Sequence, residues 1–206
     1  MHIFEEQYQE LGFKSQRTYP NESLVAFIKS KFFNIKLEDR KKIKVLELGC
    51  GSGANLWMIA EEGFDTYGID SSPTGLEYCK KMLDKWTVSA ILKLEDFTSL
   101  SFDNEYFDVI IDVVSTQHLS YLQHKKCYKE VYRCLKSKGN FFSYHLGENS
   151  ISLKSNDEMI DHCTVKEVKN GFPLANNGQT CFISANEVRK ELKVAGFAKV
   201  VIEKLI

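Results

Sequence analysis

From Lys44 onward, the chain alternates between two patterns of hydrophobic and polar residues. Short apolar runs rich in β-branched residues predict buried strands, and longer segments with one apolar face predict helices. The predicted strands are 44–48, 65–69, 89–93, 107–112, 139–146 and 197–205, and the predicted helices are 54–62, 73–85, 122–136 and 185–195. Because strands and helices alternate, the pattern predicts an α/β fold with a doubly wound, mostly parallel sheet, helices on both faces and right-handed crossovers.

Residues 1–40 precede this alternation and predict two helical segments separated near Pro20. The second segment has a candidate N-cap at Asn21 or Ser23, and its apolar face is formed by Leu24, Phe27, Ile28 and Phe32. Two later helices also have start signals: Ser72 before Pro73, and Ser184 with Glu187 three residues on, a capping box. We predict an N-terminal helical lid over residues 1–40 and one main domain over residues 41–206.

The segment from Val45 to Asn55 is the most informative part of the chain. An apolar run ends in three glycines on alternate positions, Gly49, Gly51 and Gly53, and a predicted helix follows. Glycines at a strand-to-helix turn allow tight dihedral angles and let a ligand approach the backbone closely. Asp70 ends the next predicted strand, where a carboxylate is placed to accept hydrogen bonds from ribose hydroxyls. Together these residues predict a pocket for an adenosine-containing cofactor.

Two cofactor classes use such a pocket. Gly49-x-Gly51-x-x-Ala54 satisfies the loose dinucleotide fingerprint and leaves a nicotinamide cofactor open. Three features favour the second cofactor class over a nicotinamide cofactor. They are Glu47 before the glycines, the G-x-G-x-G spacing, and Asp96-Phe97 after the third predicted strand. In this order of motifs the chain, from about Ile43 to its C-terminus, resembles the class I S-adenosylmethionine (SAM)-dependent methyltransferases.

The resemblance implies a Rossmann-like sheet of the seven-stranded type and SAM as cofactor, with S-adenosylhomocysteine as product. Asp70 is then expected to bind the ribose hydroxyls, the glycine turn the methionine and ribose portions, and Asp96 with Phe97 the adenine. The full set of implied cofactor-binding residues is Tyr19, Glu47, Gly49, Cys50, Gly51, Asn55, Asp70, Ser71, Asp96, Phe97 and Val113. The family sheet usually ends in a strand hairpin, so we expect either that segment 180–183 supplies the last strand or that one sheet edge is bare.

Three residues are candidates for the chemistry. His118 follows the fourth predicted strand, at the edge where ligands bind in open α/β sheets. Residues 107–119 resemble the phosphoethanolamine N-methyltransferases, in which a histidine at this place pairs with an N-terminal tyrosine; here Tyr8 fills that role. His145 is the second candidate base, whereas His124 and His162 are expected at the surface. Residues 17–21, with Tyr19, resemble a motif of small bacterial methyltransferases of surface-polysaccharide and natural-product pathways.

Composition narrows the partners. The formal net charge is −1, with 43% hydrophobic and 27% charged residues, which does not favour nucleic acid or an anionic membrane surface. The Asn/Asp-Pro-Pro-Tyr/Phe motif of many methyltransferases that act on nucleic acids is absent, because residues 112–115 read Asp-Val-Val-Ser. The six cysteines form no C-x-x-C pair, and neither a metal set, a signal peptide nor a membrane span is evident. We expect a cytoplasmic monomer or homodimer without a metal.

These observations favour an enzyme that methylates an oxygen or amine nitrogen of a small-molecule acceptor. The polar segment 147–179 is expected to line the acceptor pocket and suits a sugar, a nucleotide-linked sugar or a phosphobase. Two alternatives remain open at this point: a non-catalytic SAM-binding regulatory subunit and an NAD-dependent oxidoreductase.

Overall fold

The computed structural model of the protein describes residues 3–154, 157–169, 175 and 177–204. Contacts between residues divide the chain into two compact units. The first unit comprises residues 1–113 and 134–144, and the second comprises residues 114–133 and 145–206.

The first unit is built on a five-stranded parallel sheet. Its strands are β1 (Lys44–Leu48), β2 (Asp65–Asp70), β3 (Ile91–Leu94), β4 (Phe107–Val113) and β5 (Leu135–Tyr144), in the order β3-β2-β1-β4-β5. The chain winds outward from β1 to β3 and then returns to the other side of β1 with β4. This reversal places a topological switch point between β1 and β4, where open α/β sheets bind ligands beyond the carboxyl ends of their strands.

The central strands are buried because their sequences are apolar on both faces. In β1 and β4, Val45, Leu46, Leu48, Val109, Ile110 and Ile111 have no exposed surface. Helices cover the sheet: α4 (Leu56–Glu61) and α5 (Pro73–Lys85) contact β2, and α2 (Glu22–Phe32) contacts β5. The remaining helices of this unit are α1 (Ile3–Leu11) and α3 (Leu37–Arg40), with a 3-10 helix at Gly12–Ser15.

The predicted helix starts are confirmed. The Asn21 side chain accepts a hydrogen bond from the Leu24 N–H at 3.1 Å, so Asn21 rather than Ser23 caps α2. Ser72 caps α5 by accepting from the Gly75 N–H at 2.8 Å, with Pro73 in the first turn. Each cap satisfies one backbone donor that the helix itself leaves without a partner.

The second unit contains α6 (Tyr121–Cys134, whose last residue belongs to the first unit), a small hairpin and α7 (Ala185–Ala195). The hairpin pairs β6 (Thr164–Val165) with β7 (Thr180–Cys181) in antiparallel register. Val165, Val168 and Phe182 form the buried cluster beneath it. Ser184 and Glu187 make the predicted capping box at the start of α7. A 3-10 helix, Thr116–His118, precedes α6.

One expectation about strands is wrong: residues 197–204 form no strand, although their β-branched pattern predicts one. Val201 in this segment is 70% exposed. The described part of the chain contributes five strands to the central sheet, which has the predicted Rossmann-like type. Segment 180–183 contributes β7 to the separate hairpin and does not extend the central sheet. Propensity alone does not decide whether a β-branched run forms a strand, because strand formation depends on tertiary context.

Candidate functional site

The glycine turn lies directly after β1, in the first unit. Gly49, Gly51 and Gly53 have φ values of 63°, 52° and 83°, all in the left-handed region. The Cys50 N–H donates to the Ile69 carbonyl at 2.9 Å and thereby holds the turn against β2. Because only glycine adopts these dihedral angles without strain, the alternate glycines are a requirement of the turn itself.

Asp70 joins the ends of the first two strands. Its carboxylate accepts from the Gly51 N–H at 2.8 Å and from the Ser72 N–H at 2.9 Å, and its side chain is largely buried (8% exposed). These contacts fix a carboxylate beside the glycine turn at the carboxyl edge of the sheet. Ser71 is exposed, and its neighbour Ser72 is the residue that caps α5.

Glu47 is a buried acid with one satisfied oxygen. Its Oε1 accepts from Asn55 Nδ2 at 2.6 Å, whereas its buried Oε2 has no hydrogen-bond partner within the described part of the chain. Burial raises the pKa of the Glu47 carboxyl to about 8, with further contributions from the charges of Asp70 and Asp112. A buried polar oxygen without a partner is costly, which makes Glu47 Oε2 a candidate ligand-binding atom.

The segment before α2 lies over the glycine turn. Asn55 Oδ1 accepts from the Asn21 N–H at 2.8 Å, and Trp57 Nε1 donates to the Thr18 carbonyl at 3.1 Å. The charge of Arg17 in this segment lowers the pKa of Glu47, against the larger effect of burial. Tyr19, in contrast, is 71% exposed.

Helix α1 docks on the start of α5 through Glu5. The Glu5 carboxylate accepts from Ser72 Oγ at 2.5 Å, from Thr74 Oγ1 at 2.6 Å and from the Thr74 N–H at 3.2 Å. These hydrogen bonds lower the pKa of Glu5 to about 2. An acid at a helix N-terminus is also favoured by the helix dipole.

Tyr8 follows Glu5 by one turn of α1 and is buried against the glycine turn. A Cβ added at Gly51 would lie 2.6 Å from Tyr8 Oη, and one at Gly75 would lie 3.0 Å from Tyr8 Cε2. Burial and the charge of Asp70 raise the pKa of the Tyr8 hydroxyl, which stays protonated as a hydrogen-bond donor. Tyr8 therefore presents a neutral hydroxyl beside Gly51 and Asp70.

The other predicted residues of this unit lie at the same sheet edge. Asp96 follows β3, whose last residue pairs with Asp70, and its carboxylate accepts from the Thr98 N–H at 2.7 Å. Phe97 is half-buried beside it. Val113 ends β4 and is buried.

In the second unit, His118 is held by hydrogen bonds to both ring nitrogens. Nδ1 lies 3.1 Å from the Gln179 carbonyl and Nε2 lies 3.3 Å from Gln117 Nε2. Because a carbonyl only accepts, Nδ1 carries the hydrogen, and Nε2 accepts from the Gln117 amide. Gln179 Nε2 also donates to the His118 carbonyl at 2.8 Å. This arrangement fixes a neutral histidine with its lone pair on Nε2.

His145 and His124 lie together in the same unit, with ring centroids 6.1 Å apart. His145 Nδ1 lies 3.0 Å from the Leu146 carbonyl, so its Nε2 also carries the lone pair. His124 is completely buried, and the expectation of a surface position for it is wrong. Helix α6 turns this residue inward, which a single histidine in a polar helical segment does not reveal.

Sequence reasoning missed two acids. Asp112 is fully buried in β4 and accepts from Ser143 Oγ at 2.6 Å, and its position after an apolar run was an available signal. Glu5 gave no signal, because its partners Ser72 and Thr74 are far away along the chain.

One set of residues is compact enough for a metal. One potential ligand atom from each of Asp161, His162 and Cys163 lies within 4.8 Å of the other two. This is the one such trio among the described residues. The Asp161 carboxylate is already engaged by the Tyr121, Cys163 and Thr164 N–H groups. The absence of a metal stays a prediction. Among the helices of the described residues, none combines the length and apolar character needed to cross a bilayer.

Comparison with known proteins identifies relatives of this chain by sequence. Residues 45–139 match the methyltransferase domain family. Cycloartenol-C-24-methyltransferase 1 of Oryza sativa is 27% identical over 170 residues, which cover 78% of this chain and 47% of that protein. The cypemycin N-terminal methyltransferase of a Streptomyces species is 35% identical over 108 residues, which cover 52% of this chain and 40% of that protein. The chain thus spans less than half the length of these curated relatives.

Solved structures show the same fold. A protein of Pyrococcus horikoshii superposes with a TM-score of 0.66 at 22% identity, covering 92% of this chain and 88% of that one. A SAM-dependent methyltransferase of Methanosarcina mazei gives 0.62 at 21% identity, covering 74% and 78%. The fold is that of the class I SAM-dependent methyltransferases. The match to the methyltransferase domain family covers residues 45–139, and the glycine turn with Asp70 lies within them.

The residues present fit SAM. Asp70 stands at the end of β2, Glu47 has a buried oxygen without a partner among the described residues, and the Gly51 backbone, with no side chain of its own, lies beside the Tyr8 hydroxyl. A charged, adenosine-containing ligand requires such a combination of fixed acids and accessible backbone.

Proposed function

We propose that the protein binds SAM and transfers its methyl group to an oxygen or amine nitrogen of a small-molecule acceptor. The observation that carries the proposal is Asp70, a buried carboxylate fixed by the Gly51 and Ser72 N–H groups beside a left-handed glycine turn. The match of residues 45–139 to the methyltransferase domain family supports it.

SAM, when bound, supplies a methyl group already activated by its positive sulfur. Asp70 accepts hydrogen bonds from the ribose hydroxyls, and the backbone from Gly49 to Gly51 contacts the ribose and methionine portions. Asp96 and the Phe97 backbone hold the adenine, and Val113 contributes backbone at the methionine end. Glu47 Oε2, which has no hydrogen-bond partner among the described residues, accepts a hydrogen bond from a donor group of the methionine portion. These residues bind and orient the donor, and alignment is the main catalytic demand of this reaction.

Residues 1–40 act in this proposal as a lid. Glu5 anchors α1 to the start of α5, and this anchor brings the Tyr8 hydroxyl to Gly51. The loop with Arg17 and Tyr19 is part of the same lid. A closed lid excludes water and strengthens the electrostatic contacts inside the site.

His118 is the candidate base. Its Nδ1 donates to the Gln179 carbonyl, so Nε2 is the nitrogen that takes a proton from the acceptor, in place of the hydrogen bond that it accepts from the Gln117 amide. Tyr8 is a further catalytic candidate, on the sequence resemblance. His145, with the same tautomer, is the second candidate.

The acceptor is a polar molecule such as a sugar, a nucleotide-linked sugar or a phosphobase. Support comes from Asn149, Ser150, Ser152 and Lys154, polar residues that follow β5 in the second unit. Relatives of the chain include a sterol 4-C-methyltransferase and the cypemycin N-terminal methyltransferase, so sterols and free N-termini belong in the same assay panel.

The test has two parts. Calorimetry with SAM, S-adenosylhomocysteine and NADH is expected to show binding of the first two and none of NADH. S-adenosylhomocysteine release is then measured against sugars, nucleotide sugars, phosphobases, sterols and peptides. Binding of NADH in place of SAM would contradict the proposal, and SAM binding without turnover on any acceptor would favour a regulatory subunit.

A further inference from the structure

Two cysteines of the second unit are brought together by the β6–β7 hairpin. Cys163 directly precedes β6 and Cys181 ends β7, and their Sγ atoms are 3.2 Å apart. Both thiols are buried, with Cys163 6% exposed and Cys181 not exposed at all. A disulfide needs an S–S distance of about 2.05 Å, so bond formation requires the sulfurs to approach by only about 1.1 Å.

His124 makes this pair chemically distinct from the other cysteines. Its Nδ1 lies 3.3 Å from the Ser120 carbonyl, which places the hydrogen on Nδ1 and the lone pair on Nε2. That buried Nε2 has no hydrogen-bond partner within the part of the chain that the structure describes. The hydrogen bond from Cys163, together with His124, lowers the pKa of the Cys181 thiol. The same hydrogen bond and burial raise the pKa of Cys163.

We propose that Cys163 and Cys181 are a redox-responsive pair, which a hydroperoxide converts into a reversible disulfide across the β6–β7 hairpin. Two thiols whose sulfurs lie 3.2 Å apart need only a small movement to form a disulfide, and the lowered pKa of Cys181 favours the thiolate that reacts.

The chemistry balances with hydrogen peroxide as oxidant. The Cys181 sulfur attacks one peroxide oxygen and releases its proton; the O–O bond breaks, the sulfenic acid forms at Cys181, and the hydroxide that leaves takes up that proton to form water. The Cys163 sulfur then attacks the resulting sulfenic acid. The S–S bond forms, and the sulfenic oxygen leaves as a second water with the Cys163 proton. Two thiols and one peroxide give one disulfide and two waters, and a dithiol reverses the change.

The hairpin links this pair to His118. Gln179 lies two residues before Cys181. Its carbonyl accepts from His118 Nδ1 at 3.1 Å, and its Nε2 donates to the His118 carbonyl at 2.8 Å. Gln179 Nε2 also donates to Gln123 Oε1 at 3.0 Å. A disulfide at Cys181 therefore constrains the strand that sets the His118 ring. This consequence rests on the proposed function of His118; formation of the disulfide does not.

The experiment exposes the reduced protein to hydrogen peroxide, alkylates the remaining thiols and maps the peptides by mass spectrometry. We expect a Cys163–Cys181 cross-link with loss of two hydrogens, reversed by dithiothreitol, and its absence in Cys163→Ser and Cys181→Ser. Cys127→Ser, a buried thiol on α6, is the matched control and retains the cross-link. A cross-link of Cys50 with Cys79 in place of Cys163–Cys181, or two free thiols at 163 and 181 after treatment, overturns the proposal. The peptide map of the wild-type protein alone decides whether the disulfide forms. The proposal can therefore be overturned even if a variant misfolds.

Turnover is measured on the same samples. Oxidation is expected to lower kcat about tenfold or more, less than the roughly 10²–10⁴-fold loss expected when the base is removed altogether, while SAM affinity stays unchanged. A mapped disulfide with unchanged kcat overturns the link to His118. If no acceptor is found, the peptide map still decides the disulfide, and its result is independent of the proposed methyl transfer.

Discussion

The Tyr8 hydroxyl lies 2.6 Å from the place where a Cβ of residue 51 would stand. A residue of the N-terminal helix and a glycine of the turn after β1 therefore share one small space. The contact depends on Glu5, which fixes α1 to Ser72 and Thr74. The glycine turn and α1 pack against each other within the first unit, and substitutions on either side have predictable effects.

Gly51→Ala is expected to weaken SAM binding more than tenfold in calorimetry. The new Cβ meets Tyr8 Oη, and the φ of 52° strains any L-residue by about 1 kcal/mol or more. Gly147→Ala is the control, because its Cβ would have no neighbour nearer than 4.0 Å. Adding Tyr8→Phe to Gly51→Ala removes the contact with the hydroxyl but not the strain. Normal affinity of Gly51→Ala would show that the turn does not bind the cofactor.

Asp70→Asn is expected to weaken SAM binding by one to two orders of magnitude. Charge-assisted hydrogen bonds to ribose hydroxyls contribute about 1.5–3 kcal/mol, at about 1.4 kcal/mol per tenfold. The asparagine still accepts from one N–H group, so the fold is expected to survive, as circular dichroism will check. Asp84→Asn, an exposed acid on α5, should bind SAM normally. Equal affinities of the two variants would remove Asp70 from the site.

Glu5→Ala is expected to release α1. The measurement is amide hydrogen exchange of residues 3–11, which should become faster, together with a several-fold faster SAM dissociation in stopped flow. Glu6→Ala changes the exposed neighbour and is the matched control. The docked pKa of about 2 lies below the ordinary 4.5, so docking is stable above pH 4.5 and weakens as the pH falls toward 2. Unchanged exchange in Glu5→Ala would refute the anchor.

Glu47 should make the free protein less stable as the pH rises. Its pKa is raised from 4.5 to about 8, so between these values the folded state binds a proton that the unfolded state lacks. The free energy of unfolding then falls with pH, with a slope of at most about 1.4 kcal/mol per unit from this group. Glu47→Gln is expected to flatten the slope in urea titrations from pH 5 to 8, whereas the exposed Glu38→Gln is not. Identical slopes in wild type and Glu47→Gln would contradict the raised pKa.

His118→Ala is expected to lower kcat by about 10²–10⁴ with little change in SAM affinity, because the loss falls on proton transfer. His145→Ala is measured alongside, since its Nε2 carries the lone pair as well. A large loss of kcat in His145→Ala, with near-normal activity in His118→Ala, would assign the base to His145 instead of His118. Small losses in both would favour an acceptor that needs no protein base.

The amino-acid sequence by itself determined the local features. The alternation of patterns predicted the parallel sheet, and Asn21, Ser72 and Ser184 predicted helix starts that the structure confirms, since a cap depends on residues three positions apart. The glycine turn was predictable for the same reason, because backbone dihedral angles restrict residue type locally.

Tertiary structure decided what depends on distant partners. Residues 197–204 form no strand despite their β-branched pattern, because strand formation depends on tertiary packing as well as on propensity. Glu5 meets Ser72 and Thr74, and Cys163 meets Cys181, across separations that carry no spacing rule. His124 is buried by the packing of α6 rather than by its sequence context. Periodicity and capping are encoded over a few residues, whereas such contacts arise only when the whole chain has packed.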